Sequence, residues 1–345
     1  MVNLEDLKKE ARNLLKDEKV KYIIGFAESS NGASAAPVFL KTPEDADKLV
    51  WNPGCVHNLT RFLRDEKKRK AREKHRDERP VGIVVKGCDS RAINVLLQEK
   101  YINRDDVFIL GVSCENLGVI DEKKLANKLK GKISQHIEWD ENRDLVATTE
   151  NGSIKIPADE VLAERCMECP AQSPVVYDIL FGDKIKRNIN SDQQFKSVEQ
   201  IETLTQKEKW DFWKEQFDKC IRCYACRSVC PMCYCDECVV DTITFAISAD
   251  TTAEEKAQKI KWIEKSPVPS ETFIYHMIRA IHLVGRCIDC GECERVCPLD
   301  IPIRFLNKKL EKEAKSHFDY EVGFDPDQLS LVSSFKDDDP EDFIR

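Results

Sequence analysis

The sequence predicts a mixed α/β domain followed by an α-helical domain. In the first half of the chain, apolar segments with the length of buried strands alternate with helical patterns, the order expected of an α/β domain. Beyond about residue 190, helical patterns and cysteine-rich loops predominate, and this part contains 11 of the 16 cysteines. The polar stretch 182–197 is the predicted linker. We therefore expect domains at 1–190 and 191–345, since the length suits two domains of ordinary size.

The first domain is expected to open with an amphipathic helix and to continue as a parallel sheet. Apolar residues at helical spacing mark the helix: Leu4, Leu7, Ala11, Leu14 and Leu15. A strand at 20–28 and a long charged helix at 56–77 follow. Strands at 81–87 and 107–113 flank a helical pattern at 90–102, which predicts a βαβ unit. A hairpin is predicted at 144–156, because Asn151-Gly152 is a favoured pair for a type I′ turn.

Composition and charge exclude several classes of protein. The net charge of −8 argues against a general polyanion binder. The basic segment 61–79 lacks interleaved aromatic residues, so we interpret it as a solvated helix face and expect no nucleic-acid binding. No apolar run approaches the ~18 residues that span a bilayer, and the first residues resemble neither a signal nor a transit peptide. We therefore expect a cytoplasmic protein.

Two cysteine motifs of identical spacing lie in the second domain. Residues 220–231 read CIRCYACRSVCP and residues 287–298 read CIDCGECERVCP, and both fit C-x₂-C-x₂-C-x₃-C-P. In such runs the three close cysteines bind one [4Fe–4S] cluster, and the fourth binds the other. The predicted ligand sets are Cys220, Cys223, Cys226 and Cys297, and Cys287, Cys290, Cys293 and Cys230. Zinc is less favoured because its sites usually use two separated ligand pairs, and disulfides are rare in the cytosol.

A helix is predicted between the two motifs, which makes the second domain an α-helical dicluster ferredoxin domain. In residues 270–285, Ser270 suits an N-cap and Gly285 suits a helix stop. The predicted apolar face comprises Phe273, Ile274, Met277, Ile278, Ile281, Leu283 and Val284. His276 and His282 are expected to form hydrogen bonds rather than to bind metal.

A dispersed set of four cysteines lies in the first domain. Cys88 and Cys114 each follow a predicted strand, and the carboxyl ends of parallel strands share the edge where ligands bind. Cys166 and Cys169 form a C-x₂-C-P motif. These four thiolates can converge on one cluster, or they can be buried small apolar residues, as cysteine often is. The spacing leaves both interpretations open.

Three segments of the first domain carry a family resemblance. They read VGIVVKGCDSRAINVLLQ, GVSCENLGVID and RCMECPAQSPVVYDILFGD, in that order. Residues 20–185 thereby resemble the beta subunits of coenzyme F420-reducing hydrogenases and of formate dehydrogenases, and the appended two-cluster domain is similar to the formate dehydrogenase order. The resemblance implies that Cys88, Cys114, Cys166 and Cys169 ligate a third cluster. It also implies FAD beside that cluster and membership of an anaerobic multi-subunit oxidoreductase.

The candidate cofactor-binding residues lie mainly at the turn that follows the predicted strand 81–87. Gly87 to Arg91 form a strand-to-helix turn whose amides, with Lys86 and Arg91, suit a pyrophosphate. Ser90 and Asn116 complete the predicted set. An ordinary βα turn is the alternative. The sequence contains no G-x-G-x-x-G fingerprint and no P-loop, so a standard nicotinamide or nucleoside-triphosphate site is unsupported.

Four cysteines remain without a clear assignment: Cys55, Cys233, Cys235 and Cys238. A fourth cluster that uses all of them is arithmetically consistent with 16 cysteines. The favoured interpretation is that they are spare thiols, or that one of them replaces a family ligand, because no family pattern supports that fourth cluster.

The sequence therefore predicts an iron–sulfur, flavin-containing electron-transfer subunit. We expect it to relay electrons between a soluble two-electron carrier and other redox subunits of a formate dehydrogenase, hydrogenase or heterodisulfide-reductase-like complex. One alternative is a flavin-free iron–sulfur wire that links partner proteins without catalysis. A zinc-stabilised scaffold is the other.

Overall fold

The structure is a computed structural model that describes residues 2–30, 32–72, 77–114, 118–130, 134–186, 189–235, 238, 252 and 268–334. The chain forms two compact units. The first unit comprises Met1–Gln194, Ile288–Cys290 and Val322–Ser330, and the second comprises Phe195–Cys287, Gly291–Glu321 and Leu331–Arg345. The first is mixed α/β and the second is helical, so the predicted fold class is confirmed.

The first unit contains two β-sheets. Its strands are β1 Ile23–Glu28, β2 Ala35–Leu40, β3 Val81–Val85, β4 Val107–Val112, β5 Ser134–Trp139, β6 Leu145–Thr149, β7 Gly152–Ile156 and β8 Ile179–Phe181. The larger sheet has the order β2-β1-β3-β4-β8, in which only the β1/β2 pair is antiparallel. The smaller sheet, β5-β6-β7, is antiparallel throughout.

Helices surround these sheets. They are α1 Leu4–Lys16, α2 Arg61–Lys70, α3 Gly87–Gln98, α4 Glu122–Leu129, α5 Ala158–Val161, α6 Glu164–Met167 and α7 Ser191–Gln194. Helix α1 is capped by Asn3, whose side chain accepts from the Glu5 amide. Its apolar stripe packs on the larger sheet, because Leu7 and Leu14 join a core with Ile23 and Val84. Helix α3 is the predicted crossover between two parallel strands.

Three local predictions in the first unit need correction. The charged helix starts at Arg61 rather than Val56, because Asn58 Oδ1 accepts from the Thr60 amide and the preceding residues are buried loop. Its predicted continuation includes residues 73–76, which lie outside the described residues. The predicted hairpin forms, but Gly152 pairs with Thr149, so the Asn-Gly pair does not occupy both turn positions of a type I′ turn. The predicted linker 182–197 contains α7 and the start of the next helix.

The second unit consists of helices and cysteine loops. Its helices are α8 Lys196–Glu202, α9 Gln206–Asp218, α10 Ala225–Val229, α11 Pro269–His282, α12 Glu292–Arg295 and α13 Ile303–Phe318. The core contains Cys226, Tyr275, Cys293, Cys297, Ile301 and Ile303. Cysteine side chains thus occupy positions that aliphatic residues usually fill in a helical domain.

The predicted helix between the motifs is present as α11, but two details were wrong. Its N-cap is Val268, followed by Pro269 at the first position, and Ser270 lies inside the helix. Ile274 and Ile281 of the predicted apolar face are exposed. The buried side of α11 instead carries Thr272, Tyr275, His276, Arg279 and Ala280. In the part of the chain that the structure describes, no helix is both long and apolar enough to cross a membrane.

Candidate metal and cofactor sites

The four dispersed cysteines line one cavity in the first unit. Cys88 lies in the first turn of α3, directly after β3, and Cys114 lies just beyond β4. Cys166 is in α6, and Cys169 follows that helix. The carboxyl ends of β3 and β4 therefore bring Cys88 and Cys114 to one edge of the larger sheet. The segment that carries Cys166 and Cys169 reaches the same edge. All four line the cavity, together with Lys86, Gly118, Arg165 and Asp289.

Backbone amides already point at the sulfurs of this cavity. The Val119 amide donates to Cys166 Sγ at 3.5 Å, and the Ala171 amide donates to Cys169 Sγ at 3.4 Å. Cys114 accepts from the Gly87 amide. Such N–H···S contacts favour thiolate over thiol, and in iron–sulfur proteins they tune the cluster.

Electrostatics makes this cavity unfavourable for four free thiolates. Burial, together with the charges of the nearby Cys166 and Cys169, raises the pKa of Cys114 to about 12. Burial also raises the pKa of Cys88 well above its usual range, as do the charges of Asp89 and of Cys169 and Cys114. A positively charged iron–sulfide core bound by these four cysteines would offset this penalty, because it would compensate the thiolate charges that water does not reach.

Four cysteines around one cavity supply the donor set that a [4Fe–4S] cluster takes. Among the described residues, no group of three or more His, Cys, Asp or Glu side chains is arranged to hold one metal ion. In a [4Fe–4S] cluster each iron takes one cysteine, so the four sulfurs need not share an ion.

Lys86 is a buried positive charge beside these cysteines. Its Nζ lies 3.0 Å from Asp89 Oδ2, donates to the His57 carbonyl at 2.7 Å, and sits over the Phe26 ring. Burial opposes the charged form, but Asp89 and the Cys88 and Cys55 thiols outweigh burial and raise the pKa of Lys86. We expect Lys86 to stay protonated at all physiological pH values.

A second cavity of about 230 Å³ adjoins the cysteine cavity. The two share Lys86, Cys114, Gly118 and Val119 as lining residues. The second cavity is also lined by Trp51, Asn52, Ser113, His136 and Trp139. The Trp139 indole is fixed by a hydrogen bond to the Gly118 carbonyl at 3.2 Å. Its size and aromatic lining suit a planar ring system rather than a complete dinucleotide.

The predicted pyrophosphate turn is used mainly for packing. A Cβ on Gly87 would lie 1.9 Å from the Ala171 carbonyl oxygen, so a side chain there would collide with backbone. Ser90 Oγ donates to the Gly87 carbonyl and accepts from the Val175 amide. Arg91, predicted to lie beside a phosphate, instead donates to the carbonyls of Val322 and Ile288. Of the predicted cofactor residues, Lys86 lines the second cavity, and Asn116 lies outside the described residues.

The cysteines of the two motifs lie as follows. Cys220, Cys226, Cys293 and Cys297 take part in the core of the second unit. The pKa of Cys220 is raised by burial and by the charges of Cys226, Cys297 and Cys223, which are its predicted co-ligands. Cys223 is exposed, and Cys230 is buried. Cys287 is half-buried in the second unit, and Cys290 is half-buried in the Ile288–Cys290 segment of the first.

The four unassigned cysteines differ in environment. Cys55 is buried in its own loop, where its Sγ accepts from the Asn52 amide, and burial raises its pKa to about 11. Cys233 has a lowered pKa, because its side chain hydrogen-bonds with Cys230 and lies near Arg279 and Arg286. Cys235 is exposed, and Cys238 packs beside the cysteine core of the second unit.

Comparison with known proteins supports the interpretation of both regions. Residues 216–301 match the family described as 4Fe-4S dicluster domain. The helical C-terminal region therefore carries a 4Fe-4S dicluster domain at residues 216–301. The chain is 23% identical to the F420-dependent formate dehydrogenase subunit beta of Methanocaldococcus jannaschii, over 90% of this chain and 89% of that protein. It is 22% identical to the F420-dependent formate dehydrogenase 1 subunit beta of Methanococcus maripaludis, over 84% of this chain and 83% of that protein.

A solved structure also matches part of the chain. A chain of the F420-reducing [NiFe] hydrogenase complex from Methanosarcina barkeri aligns with 46% of this chain and 58% of its own length, at 18% identity and a TM-score of 0.33. The resemblance predicted from the three sequence segments is thus confirmed by the sequence relatives.

Proposed function

We propose that this chain is an iron–sulfur electron-transfer subunit of a multi-subunit oxidoreductase of the formate dehydrogenase or hydrogenase type. The observation that carries the proposal is the convergence of Cys88, Cys114, Cys166 and Cys169 on one cavity, in a chain that also carries a dicluster domain. Its relatives are beta subunits of F420-dependent formate dehydrogenases, so a deazaflavin is the two-electron carrier that we propose.

Three [4Fe–4S] clusters are proposed. The first unit would hold one through the four cysteines of its cavity. The dicluster domain would hold the other two through Cys220, Cys223, Cys226 and Cys297 and through Cys287, Cys290, Cys293 and Cys230. Each cluster passes one electron at a time, so a relay that exchanges hydride with a soluble carrier also needs a group that converts between two- and one-electron chemistry.

We propose that the second cavity takes the isoalloxazine ring of a flavin. The cavity borders Cys114, a proposed cluster ligand, and Trp51 and Trp139 supply aromatic surfaces for a planar ring. The buried ammonium of Lys86 lines both cavities and would stabilise negative charge on a reduced flavin. When bound, the flavin would supply the conversion between hydride transfer and single electrons. The rest of a dinucleotide would have to lie outside the 230 Å³ cavity.

Anaerobic purification of the complex from its native host tests the proposal. We expect about twelve irons and twelve acid-labile sulfides per chain, together with about one flavin that is released by acid. Co-purifying redox subunits should be identified by mass spectrometry. Full iron content without flavin would favour the flavin-free wire, and zinc without sulfide would contradict both.

A further inference from the structure

An aromatic groove of about 620 Å³ lies on the surface of the second unit. Three helices supply its apolar lining, which consists of Trp210, Trp213 and Phe217 of α9, Phe273 and Met277 of α11, and Leu306 of α13. Trp210 is 58% exposed, although tryptophan side chains are mostly buried in folded domains. A concave apolar surface of this kind is typical of a site for protein–protein interaction.

The aromatic rings of the groove are fixed by contacts with one another. The ring centroids of Trp210 and Phe273 lie 5.7 Å apart, and those of Phe273 and Phe217 lie 5.6 Å apart at an interplanar angle of 77°. Trp213 stacks on Phe217 at 5.4 Å. Stacked and edge-to-face pairs are the favoured arrangements of such rings. The groove is therefore preformed, and a partner that binds it does not have to order these side chains first.

The floor of the groove leads to a proposed cluster ligand. The Phe217 ring stacks on His276 at 4.8 Å with an interplanar angle of 7°. His276 is buried, and its Nε2 lies 3.4 Å from Cys220 Sγ. The Phe217 carbonyl also accepts from the Cys220 amide at 3.1 Å. A single histidine ring thus connects the groove to the sulfur of Cys220.

The polar part of the groove is positively charged. Lys207 and Lys209 line it together with Gln206, and no acidic side chain does so among the described residues. Neither lysine forms an ion pair with a residue that the structure describes. Lys214 of the same helix lies outside the groove and pairs with Asp218 at 2.6 Å. The two groove lysines are therefore placed to meet carboxylates of a partner.

We propose that the aromatic groove is the docking site for another iron–sulfur subunit of the complex, which inserts an apolar side chain bordered by carboxylates. This inference rests on the proposed function, since it requires a cluster at Cys220 and a partner subunit. One electron would pass between that cluster and an iron–sulfur cluster of the partner, so one is oxidised as the other is reduced, and no bond forms or breaks. The stack of Phe217 on His276 supplies a short and rigid connection for this transfer.

Carbodiimide cross-linking of the anaerobically purified complex tests the docking site, because this reagent joins a lysine amine to a carboxylate in contact with it. We expect Lys207 or Lys209 to be linked to an aspartate or glutamate of a co-purifying iron–sulfur subunit, as identified by mass spectrometry. Lys214 and Asp218 should be linked within α9, which shows that the reagent reaches this helix. Links from the two groove lysines to this chain itself, in the same or a second copy, would overturn the inference, as would their absence.

Two variants test how much the groove contributes to affinity. Trp210→Ala should weaken binding of the identified subunit at least tenfold, about 1.4 kcal/mol, because tryptophan anchors often dominate the binding energy of an interface. Lys207→Glu combined with Lys209→Glu should weaken binding about tenfold at low salt and less at high salt, since salt screens exposed charges. Titration of the immobilised, iron-loaded chain with the purified subunit measures both effects.

Matched controls separate docking from damage to the domain. Ile281→Ala truncates an exposed side chain of α11 outside the groove, and Lys214→Glu reverses a charge of α9 outside it. Both should bind the subunit as the wild type does. If Trp210→Ala loses iron, the double lysine variant carries the same test. Wild-type affinity in the iron-loaded groove variants, or equal losses in the controls, would contradict the docking site. Absence of any co-purifying redox subunit would instead contradict the proposed function.

Discussion

The two regions that hold cysteines in this chain position them by different means. In the dicluster domain, local sequence sets the geometry: within each motif, left-handed residues such as Tyr224 and Gly291 bend the chain before a short helix. In the first unit, the four dispersed cysteines are up to 81 positions apart, from Cys88 to Cys169. Cys88 and Cys114 meet because they follow β3 and β4, which are parallel neighbours. One arrangement depends on loop conformation, and the other depends on sheet topology.

Substitutions should therefore have different consequences for cluster content and for the fold in the two regions. A change to a motif loop should affect its own cluster and leave the α/β fold intact. A change to the packing of the βαβ unit should move Cys88 relative to Cys169 and affect the dispersed cluster first. Iron content and the free energy of unfolding, measured on the same variant, separate these two behaviours.

The largest expected effect is that of Cys223→Ala on iron content. Removal of a proposed motif ligand should cost about four irons of about twelve per chain, whereas the first unit should unfold at an unchanged denaturant concentration. Iron analysis and urea titration of the anaerobic protein measure the two quantities. An unchanged iron count would refute the assignment of Cys223.

Cys55→Ala is the matched control for that variant. Cys55 is buried in its own loop, so its truncation should reduce the free energy of unfolding by about 1 kcal/mol through the small cavity it leaves, without iron loss. A wild-type content of about sixteen irons that falls to about twelve in Cys55→Ala would establish the fourth cluster that the cysteine count allows.

The sequence was sufficient for the motif region because its geometry is local. Spacing alone indicated a dicluster domain, and the family match at 216–301 agrees. The buried side of α11 was mispredicted because a periodicity argument assigns apolar residues such as Ile274 to the core, whereas here the core is made of cysteines that require donors. His276 and Arg279 would have been the signal, since these two polar residues lie three positions apart in the segment between the two cysteine motifs.

The dispersed site was less accessible from sequence. The strand-end positions of Cys88 and Cys114 indicated a shared edge, but nothing in the spacing placed Cys166 and Cys169 there, and the family resemblance supplied that step. The role expected for Arg91 failed for a long-range reason. Its guanidinium is taken by the Val322 and Ile288 carbonyls, 231 and 197 positions away, which no local pattern reveals.

The next largest effect is expected for Gly87→Ala. The added Cβ would lie 1.9 Å from the Ala171 carbonyl oxygen, so α3 and the segment that carries Cys169 must separate. Alanine is usually more favourable than glycine in a helix by about 1 kcal/mol. A net decrease of about 2–3 kcal/mol in the free energy of unfolding would therefore be due to the collision with Ala171. We expect the dispersed cluster, about four irons, to be lost while the motif clusters remain, as measured by iron content and paramagnetic resonance.

Gly152→Ala provides a control of similar cost. Gly152 has a φ of +109°, so alanine is strained there by about 1–3 kcal/mol, yet an added Cβ meets nothing within 4 Å. This hairpin variant should be destabilised to a comparable extent but should keep its full iron content. Iron loss from both glycine variants would show that general destabilisation, and not the α3 contact, releases the cluster.

The smallest effect is expected where α3 contacts a C-terminal segment of the first unit, Val322–Ser330. Asn94 is buried, and its Nδ2 donates to the Gly323 carbonyl at 3.0 Å. Asn94→Ala removes this donor from the Gly323 carbonyl. It also removes Asn94 Oδ1, which is buried without a hydrogen-bond partner among the described residues, so the free energy of unfolding should fall by only about 1 kcal/mol. Gln98→Ala, whose contact with the Asp325 carbonyl is exposed, should cost less than about 0.5 kcal/mol. Both variants should keep all iron, because the contacts that they remove are with backbone carbonyls of this segment. Urea midpoints and iron counts measure this, and iron loss in Asn94→Ala would mean that the segment supports the dispersed cluster as well.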